Sequence, residues 1–226
     1  WGGVVGWAGG VLVGFVWRSP RAGPPLRRRP APLWREEVVE VFLAPVPDGA
    51  SAVSPATSPA SAPAVSPASA PAVSPASAPA VYYEIEVNPL GALFDARVHN
   101  PDIDRATMRV ETAWDWPDIR WRAGRHGAGH DWWATLDLPF SGLGFEAEPP
   151  ARWMANFYRV ERPGGAGGDP ADAEYSAWAP TLVEPADFHR PDRFGLLELE
   201  GLRAPSAEPG PRTRAAIPRV TGRKER

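Results

Sequence analysis

The chain has 226 residues, 43% of them hydrophobic and eleven of them tryptophan, enough apolar material for the core of one domain with additions. Its formal net charge of −3, from 24 basic and 27 acidic residues, gives no electrostatic basis for binding nucleic acid or an anionic membrane. The absence of cysteine excludes disulfides and thiolate metal sites.

The sequence opens on Trp1, which reads as a chain incomplete at its N-terminus. Trp1 to Trp17 is apolar and glycine-rich, but it lacks a basic start and a small-residue cleavage site, and it is short for a membrane span. A hairpin fits better, with strands at Val4–Trp7 and Val11–Trp17 and a turn at Ala8-Gly9-Gly10. No membrane span is expected. Arg18 to Pro32 reads as a solvated Pro/Arg loop.

The stretch from Leu33 to Leu43 reads Leu-Trp-Arg-Glu-Glu-Val-Val-Glu-Val-Phe-Leu. β-branched and aromatic residues predict a strand, and Glu40 stands in its middle. A carboxylate placed there is costly unless it faces water, a cation or a ligand's hydroxyls. In an extended chain Trp34 and Glu40 would share a side.

Residues 50–80 are of low complexity, with Ser-Pro-Ala-Ser-Ala-Pro-Ala at 58–64, 66–72 and 74–80. Proline at this density predicts an extended, unpacked, disordered segment. Because the flanks both read as strands and neither completes a core alone, the segment is read as an expanded hairpin loop. Lengthening a ~4-residue turn to ~35 residues costs on the order of 2 kcal/mol in closure entropy, which a sizeable core absorbs.

Val81 to Asn88 alternates, with Tyr83, Ile85 and Val87 on one face and Glu84, Glu86 and Asn88 on the other. After Pro89-Leu90-Gly91, further strands are predicted at Leu93–His99, Trp132–Leu138, Trp153–Glu161, Tyr175–Trp178 and Leu196–Leu199. Asn156 and Tyr158 share a face and Phe157 takes the other. From Gly201 to the end Pro, Arg and Ala dominate, with seven basic residues against two acids from Arg203 onward, and this tail is expected to be disordered. No segment shows helical periodicity over three turns. Short strands punctuated by turns predict an all-β antiparallel sandwich, one domain over residues 1–200 with 50–80 as an insertion and 201–226 as a basic tail.

Glu40, then Glu84, Glu86 and Asn88, then Asn156 and Tyr158, would form one surface of acids, amides and a phenol if their strands were neighbours. Trp34, with Phe188 or Trp178, would supply flat aromatic rims. That mixture suits a sugar, which offers apolar C–H faces to a ring and hydroxyls to acids and amides. An ordinary solvated sheet face is the plain alternative.

The Leu33–Leu43 stretch, Tyr82 to Pro89, Asn156-Phe157-Tyr158-Arg159, Trp178-Ala179-Pro180-Thr181 and Phe188 to Gly195 together resemble the family 9 carbohydrate-binding modules and their uncharacterised bacterial relatives, over residues 4–200. The resemblance implies a jelly-roll or DOMON-like β-sandwich and a non-catalytic module that serves carbohydrate catabolism beside a glycoside hydrolase. Its site would comprise Trp34, Glu40, Glu86, Asn88, Asn156, Tyr158 and Phe188. Trp34 and Phe188 would stack on the sugar, and Glu40 and Asn88 would bind its hydroxyls. Phe188 stands where the family has tryptophan, Glu86 where it has a basic residue, and Tyr158 where it has glutamine. The resemblance implies a saccharide as ligand and favours a bacterial extracellular or periplasmic setting. No cofactor is expected. The family admits structural calcium, but Asn100, Asp102 and Asp104 lack the glycine and distal glutamate of a calcium loop.

Three other readings stand beside it. A glycoside hydrolase acting on O-glycosyl bonds would use Glu40 and Glu86 as its carboxyl pair. A haem-binding electron-transfer domain of the DOMON type would pair Met108 or Met154 with a histidine. A structural module would use its Ser/Pro/Ala loop to contact a cell-envelope partner.

Overall fold

A computed structural model describes residues 2–7, 10–17, 33–46, 78–126, 131–145, 150–164 and 167–199. The proposed turn at Ala8-Gly9, the Pro/Arg loop, most of the Ser/Pro/Ala insertion and the basic tail lie outside the described residues. The described chain is all-β. Its strands are β1 (Gly2–Trp7), β2 (Gly10–Trp17), β3 (Val38–Pro45), β4 (Val81–Val87), β5 (Leu93–His99), β6 (Arg109–Glu111), β7 (Arg120–Arg125), β8 (Trp132–Pro139), β9 (Arg152–Glu161), β10 (Glu174–Ala177) and β11 (Gly195–Glu198). Short 3₁₀ turns are the only helical elements among the described residues, and none is long and apolar enough to cross a membrane.

The strands form two antiparallel sheets. The smaller has the order β1-β2-β8-β7. The larger runs β10-β9-β3-β4-β5-β6, and β11 pairs with β9 at residues 152–155, end to end with β10 on the same edge. The predicted hairpin of β1 and β2 is present, with Val4 opposite Val13. β3 and β4 are antiparallel neighbours, Glu40 opposite Glu86, as an expanded hairpin requires.

Alternation in the strands builds the core between the sheets. Val39, Val41 and Leu43 of β3 and Ile85 and Val87 of β4 meet Val11 and Val13 of β2 and Leu136 and Leu138 of β8. The tryptophans make much of the remaining bulk. Trp116, Trp132 and Trp153 are buried, and each satisfies its indole N–H: Trp116 on the Pro139 carbonyl, Trp153 on the Pro150 carbonyl, and Trp132 on Glu37 at 2.7 Å. Glu37 also accepts from Arg159 at 3.2 Å, and Arg159 reaches Glu161 at 2.6 Å, so a buried charge cluster links the two layers.

The opposite face of the larger sheet is also covered. Phe42, Tyr82, Tyr158, Phe194 and Met154 form one apolar cluster there, and Leu33, Val38, Phe94 and Val160 a second. The covering segments are Leu33–Glu37, the loop from Asn100 to Met108, and the return from Trp178 to Phe194. They are held by hydrogen bonds from Asn100 Nδ2 to the His189 carbonyl, from Tyr158 to the Phe188 carbonyl, and between Asn156 and both backbone groups of Ala179. A free solvated face is therefore not what β3 and β4 present. Val38 to Ala44 is buried residue by residue, because the two alternating sides of the strand each meet a packed layer.

β3 begins at Val38, where the β-branched run predicted as a strand begins, but the extended parity that would put Trp34 on the side of Glu40 does not hold. Leu33–Arg35 is instead a 3₁₀ turn closed by the Glu36 amide on the Leu33 carbonyl. Leu33 and Val38 bury in the same apolar cluster, so the chain must fold back between them.

Candidate functional site

The covering loops leave a cavity of about 340 Å³ over β3, β4 and β5. Its floor carries Glu40 and Glu84, and its walls include Trp34, Phe94, Tyr175 and Phe188. Parity does not bring Trp34 there, since it precedes the strand. The 3₁₀ turn swings it out, 47% exposed, with its ring edge-on against Phe94 at 5.9 Å. Phe188 arrives from the return segment and lies flat on Tyr158, with ring centroids 4.1 Å apart and planes 12° apart. Tyr175 of β10 meets Phe188 edge-on, and its hydroxyl accepts from Arg162 at 3.2 Å. Two aromatic plates of different elements are thus fixed by neighbours before any ligand arrives.

The floor is acidic and buried. Glu40 and Glu86 are cross-strand partners, and Glu84 follows on the same face of β4. Their exposures are 2%, 0% and 5%, and one oxygen of each lies within 4.8 Å of one oxygen of the other two. At such a separation two ionised carboxylates repel by roughly 3–4 kcal/mol at an effective dielectric near 20, so the cluster resists full ionisation. Burial raises all three. Glu84 is pushed up to about 7, while Glu40, with Glu84 beside it, and Glu86, with both neighbours, are raised well above the carboxylate range. Among the described residues neither Glu86 oxygen has a hydrogen bond of good geometry, and the Glu84 carboxyl, Glu40 and the Trp34 backbone are among its polar neighbours.

Around this floor Arg105, Tyr82 and His189 are engaged with one another's neighbours. Arg105 binds Asp187 through two nitrogens at 2.6 and 3.0 Å. The Tyr82 hydroxyl lies 2.8 Å from His189 Nδ1, and His189 Nε2 is 3.8 Å from Glu84. Burial, reinforced by Arg105, pushes the His189 imidazole down to about 3, so it is neutral at physiological pH. Tyr82 also donates to Met108 Sδ at 3.9 Å, which leaves the methionine and histidine of a haem-ligand reading sharing one hydroxyl.

Of the seven residues singled out in the sequence, Trp34, Glu40 and Phe188 line this cavity. Glu86 lies beneath it. Tyr158 backs the Phe188 plate and donates to the Phe188 carbonyl. Asn156 is buried and spends its carboxamide on Ala179, Tyr158 and the Phe157 amide. The Asn88 oxygen accepts from the Leu90 and Ala92 amides, closing the β4–β5 turn in which Gly91 takes a φ of 77°. Trp178, the other sequence candidate for a plate, borders a separate cavity between the sheets and rests over Gly195, where an added Cβ would fall 2.4 Å from its ring. Asn100, Asp102 and Asp104 serve their own loop: Asn100 and Asp104 accept backbone amides, and Asp102 meets the Thr107 hydroxyl.

The sequence places Glu84 on the candidate surface beside Glu86, though not among the site residues the resemblance implies, and it does not single out Phe94, Tyr175 or His189. These three come from strands or loops whose approach to β3 depends on the covering layer.

No family model and no curated protein matches the sequence. The fold is similar to that of a solved structure from Bacteroides uniformis ATCC 8492, named a "putative carbohydrate-binding protein", with 16% identity and a TM-score of 0.50 over 85% of this chain and 74% of that one. At that identity the likeness is one of fold.

Proposed function

We propose that this chain is a saccharide-binding module of the family 9 kind, which captures a sugar ring between Trp34 and Phe188. Glu40 and Glu84 accept hydrogen bonds from its hydroxyls, and Tyr158 holds the Phe188 plate in place. The observation that carries this reading is the convergence of Trp34, Phe188 and Glu40 on one cavity of about 340 Å³, walled by rings and floored by acids. Apolar walls with a few convergent polar groups are the ordinary make-up of a small-ligand site, and rings suit the C–H faces of a pyranose. The name of the Bacteroides uniformis protein with a similar fold points the same way. In this reading the module serves a glycoside hydrolase in carbohydrate catabolism outside the cytoplasm.

Hydrolysis by the module itself fits the geometry less well. A glycosidase places its two carboxyls on either side of the scissile bond, whereas Glu40, Glu84 and Glu86 stand side by side on one sheet face. Purified protein is expected to release nothing from aryl-glycosides or oligosaccharides.

The deciding experiment is a glycan array followed by titration calorimetry on the wild type and Trp34→Ala. Loss of one stacking plate should weaken the best ligand about 10-fold, the equivalent of ~1.4 kcal/mol. Absence of any saccharide binding by the wild type, or equal binding by both proteins, would show that the assignment is wrong.

A further inference from the structure

We infer that the floor of the cavity is a binding site for a hard divalent cation, ligated by Glu40, Glu84 and Glu86. The three side chains come from two neighbouring strands and share one face. Their oxygens lie within 4.8 Å of one another, about twice a Ca²⁺–oxygen bond of ~2.3–2.6 Å. A single ion placed among them therefore reaches all three without moving a strand.

A second observation points to a ligand. Glu86 is fully buried, and among the described residues neither of its oxygens has a hydrogen bond of good geometry, although its side chain is aimed into the cluster. A buried carboxyl left in that condition is costly unless something else meets it. Among the described residues the cations nearest the cavity are turned elsewhere: Arg105 is committed to Asp187, and Arg162 reaches the Tyr175 hydroxyl.

The donor set selects the metal. Three carboxylates without nitrogen or sulfur suit calcium, magnesium or manganese rather than zinc or copper. Calcium takes six to eight oxygens in flexible geometry and accepts bidentate carboxylates, whereas magnesium demands a near-ideal octahedron and keeps several waters. The open cavity above Glu40 and Glu84 leaves room for the remaining positions. Where the saccharide reading holds, and this step rests on it, a pair of neighbouring sugar hydroxyls would complete the shell, so that the ion and the aromatic plates grip the same ring.

The test uses the full chain stripped with EDTA and exchanged into cation-free buffer. Calcium chloride and magnesium chloride are titrated separately by calorimetry, with no saccharide present, into the wild type, Glu86→Gln and Glu84→Gln. Thermal melting of each protein is recorded with and without calcium. One calcium per chain is expected, tighter than magnesium, with a raised melting temperature and at least 10-fold weaker binding in each variant. Wild type that neither binds calcium nor gains melting temperature overturns the inference. So does calcium binding that survives both substitutions unchanged, which would place the ion elsewhere. Because glutamine keeps the shape of glutamate, the melting curves also report whether each variant is folded, and the wild-type titration decides even if one is not. The saccharide panel is then repeated in EDTA and in calcium. Calcium binding without any sugar binding would defeat the saccharide reading alone, and sugar binding in EDTA without calcium binding would defeat the cation site alone.

Discussion

A single imidazole shows how burial on the covered face sets the chemistry of the site. His189 is packed against Phe42 and Tyr82, with Glu84, Arg105 and Asp187 as its charged neighbours. Its folded value near 3 lies below the ordinary 6.5, so as pH falls the unfolded chain takes up the proton first. The native state then loses up to about 1.4 kcal/mol for each unit below the ordinary value. Glu84 acts in the opposite sense, since its carboxyl, held up to about 7, is protonated in the folded protein before the unfolded one. Comparison with His189→Gln separates the two. Urea unfolding at pH 7.5 and pH 5 should show the stability deficit of that variant shrinking by about 2 kcal/mol at the lower pH, and a constant deficit would mean that the imidazole titrates normally. Trp34 is the contrasting residue. Half exposed on a 3₁₀ turn, it contributes little to the core, so its removal should be felt in binding far more than in melting temperature.

Between elements, the buried cluster of Glu37, Arg159 and Glu161 with the Trp132 indole ties the two layers together. Arg159 projects from β9 into the space between the sheets and is 3% exposed. Replacing it by methionine keeps much of the volume but leaves two carboxylates buried beside each other. Breaking a buried pair from one side typically costs about 3–5 kcal/mol, whereas replacing all charged members together is close to neutral. Arg159→Met should therefore lose several kcal/mol in urea denaturation, and Glu37→Gln/Arg159→Met/Glu161→Gln should regain most of it. Recovery that fails to appear would assign the loss to packing rather than charge. The elements themselves were largely readable from the sequence. Alternation placed Tyr83, Ile85 and Val87 against one layer, and Glu84 and Glu86 against another, because a strand's period of two admits no other arrangement once one side is apolar. The path of the chain just before β3 was not readable. A run of strand-forming residues says nothing about whether Leu33 must double back to reach the same cluster as Val38.

For the whole molecule, β3 and β4 remain neighbours although the 35 residues from Val46 to Ala80 separate them. Replacing residues 50–77 by a short Gly/Ser turn should leave the fold and the cavity intact and raise stability by about 2 kcal/mol, because closure entropy grows only with the logarithm of loop length. Chemical denaturation and the best saccharide ligand together check this, and loss of both would show that the insertion packs on the domain. Local composition and alternation suffice for the all-β class, the β1–β2 and β3–β4 hairpins, and the residues of each strand that share a side. Tertiary packing alone roofs over the polar side, sets Trp178 at a different cavity from Trp34 and Phe188, and turns the Asn88 and Asn156 side chains onto backbone groups. The difference lies in separation along the chain. The roof is made by Leu33–Glu37, Asn100–Met108 and Trp178–Phe194, loops without a period of their own, and their positions are fixed by apolar clusters and hydrogen bonds to distant strands. Glu40 thus passed from an awkward acid on a predicted outer face to one of three buried carboxyls on the floor of a cavity.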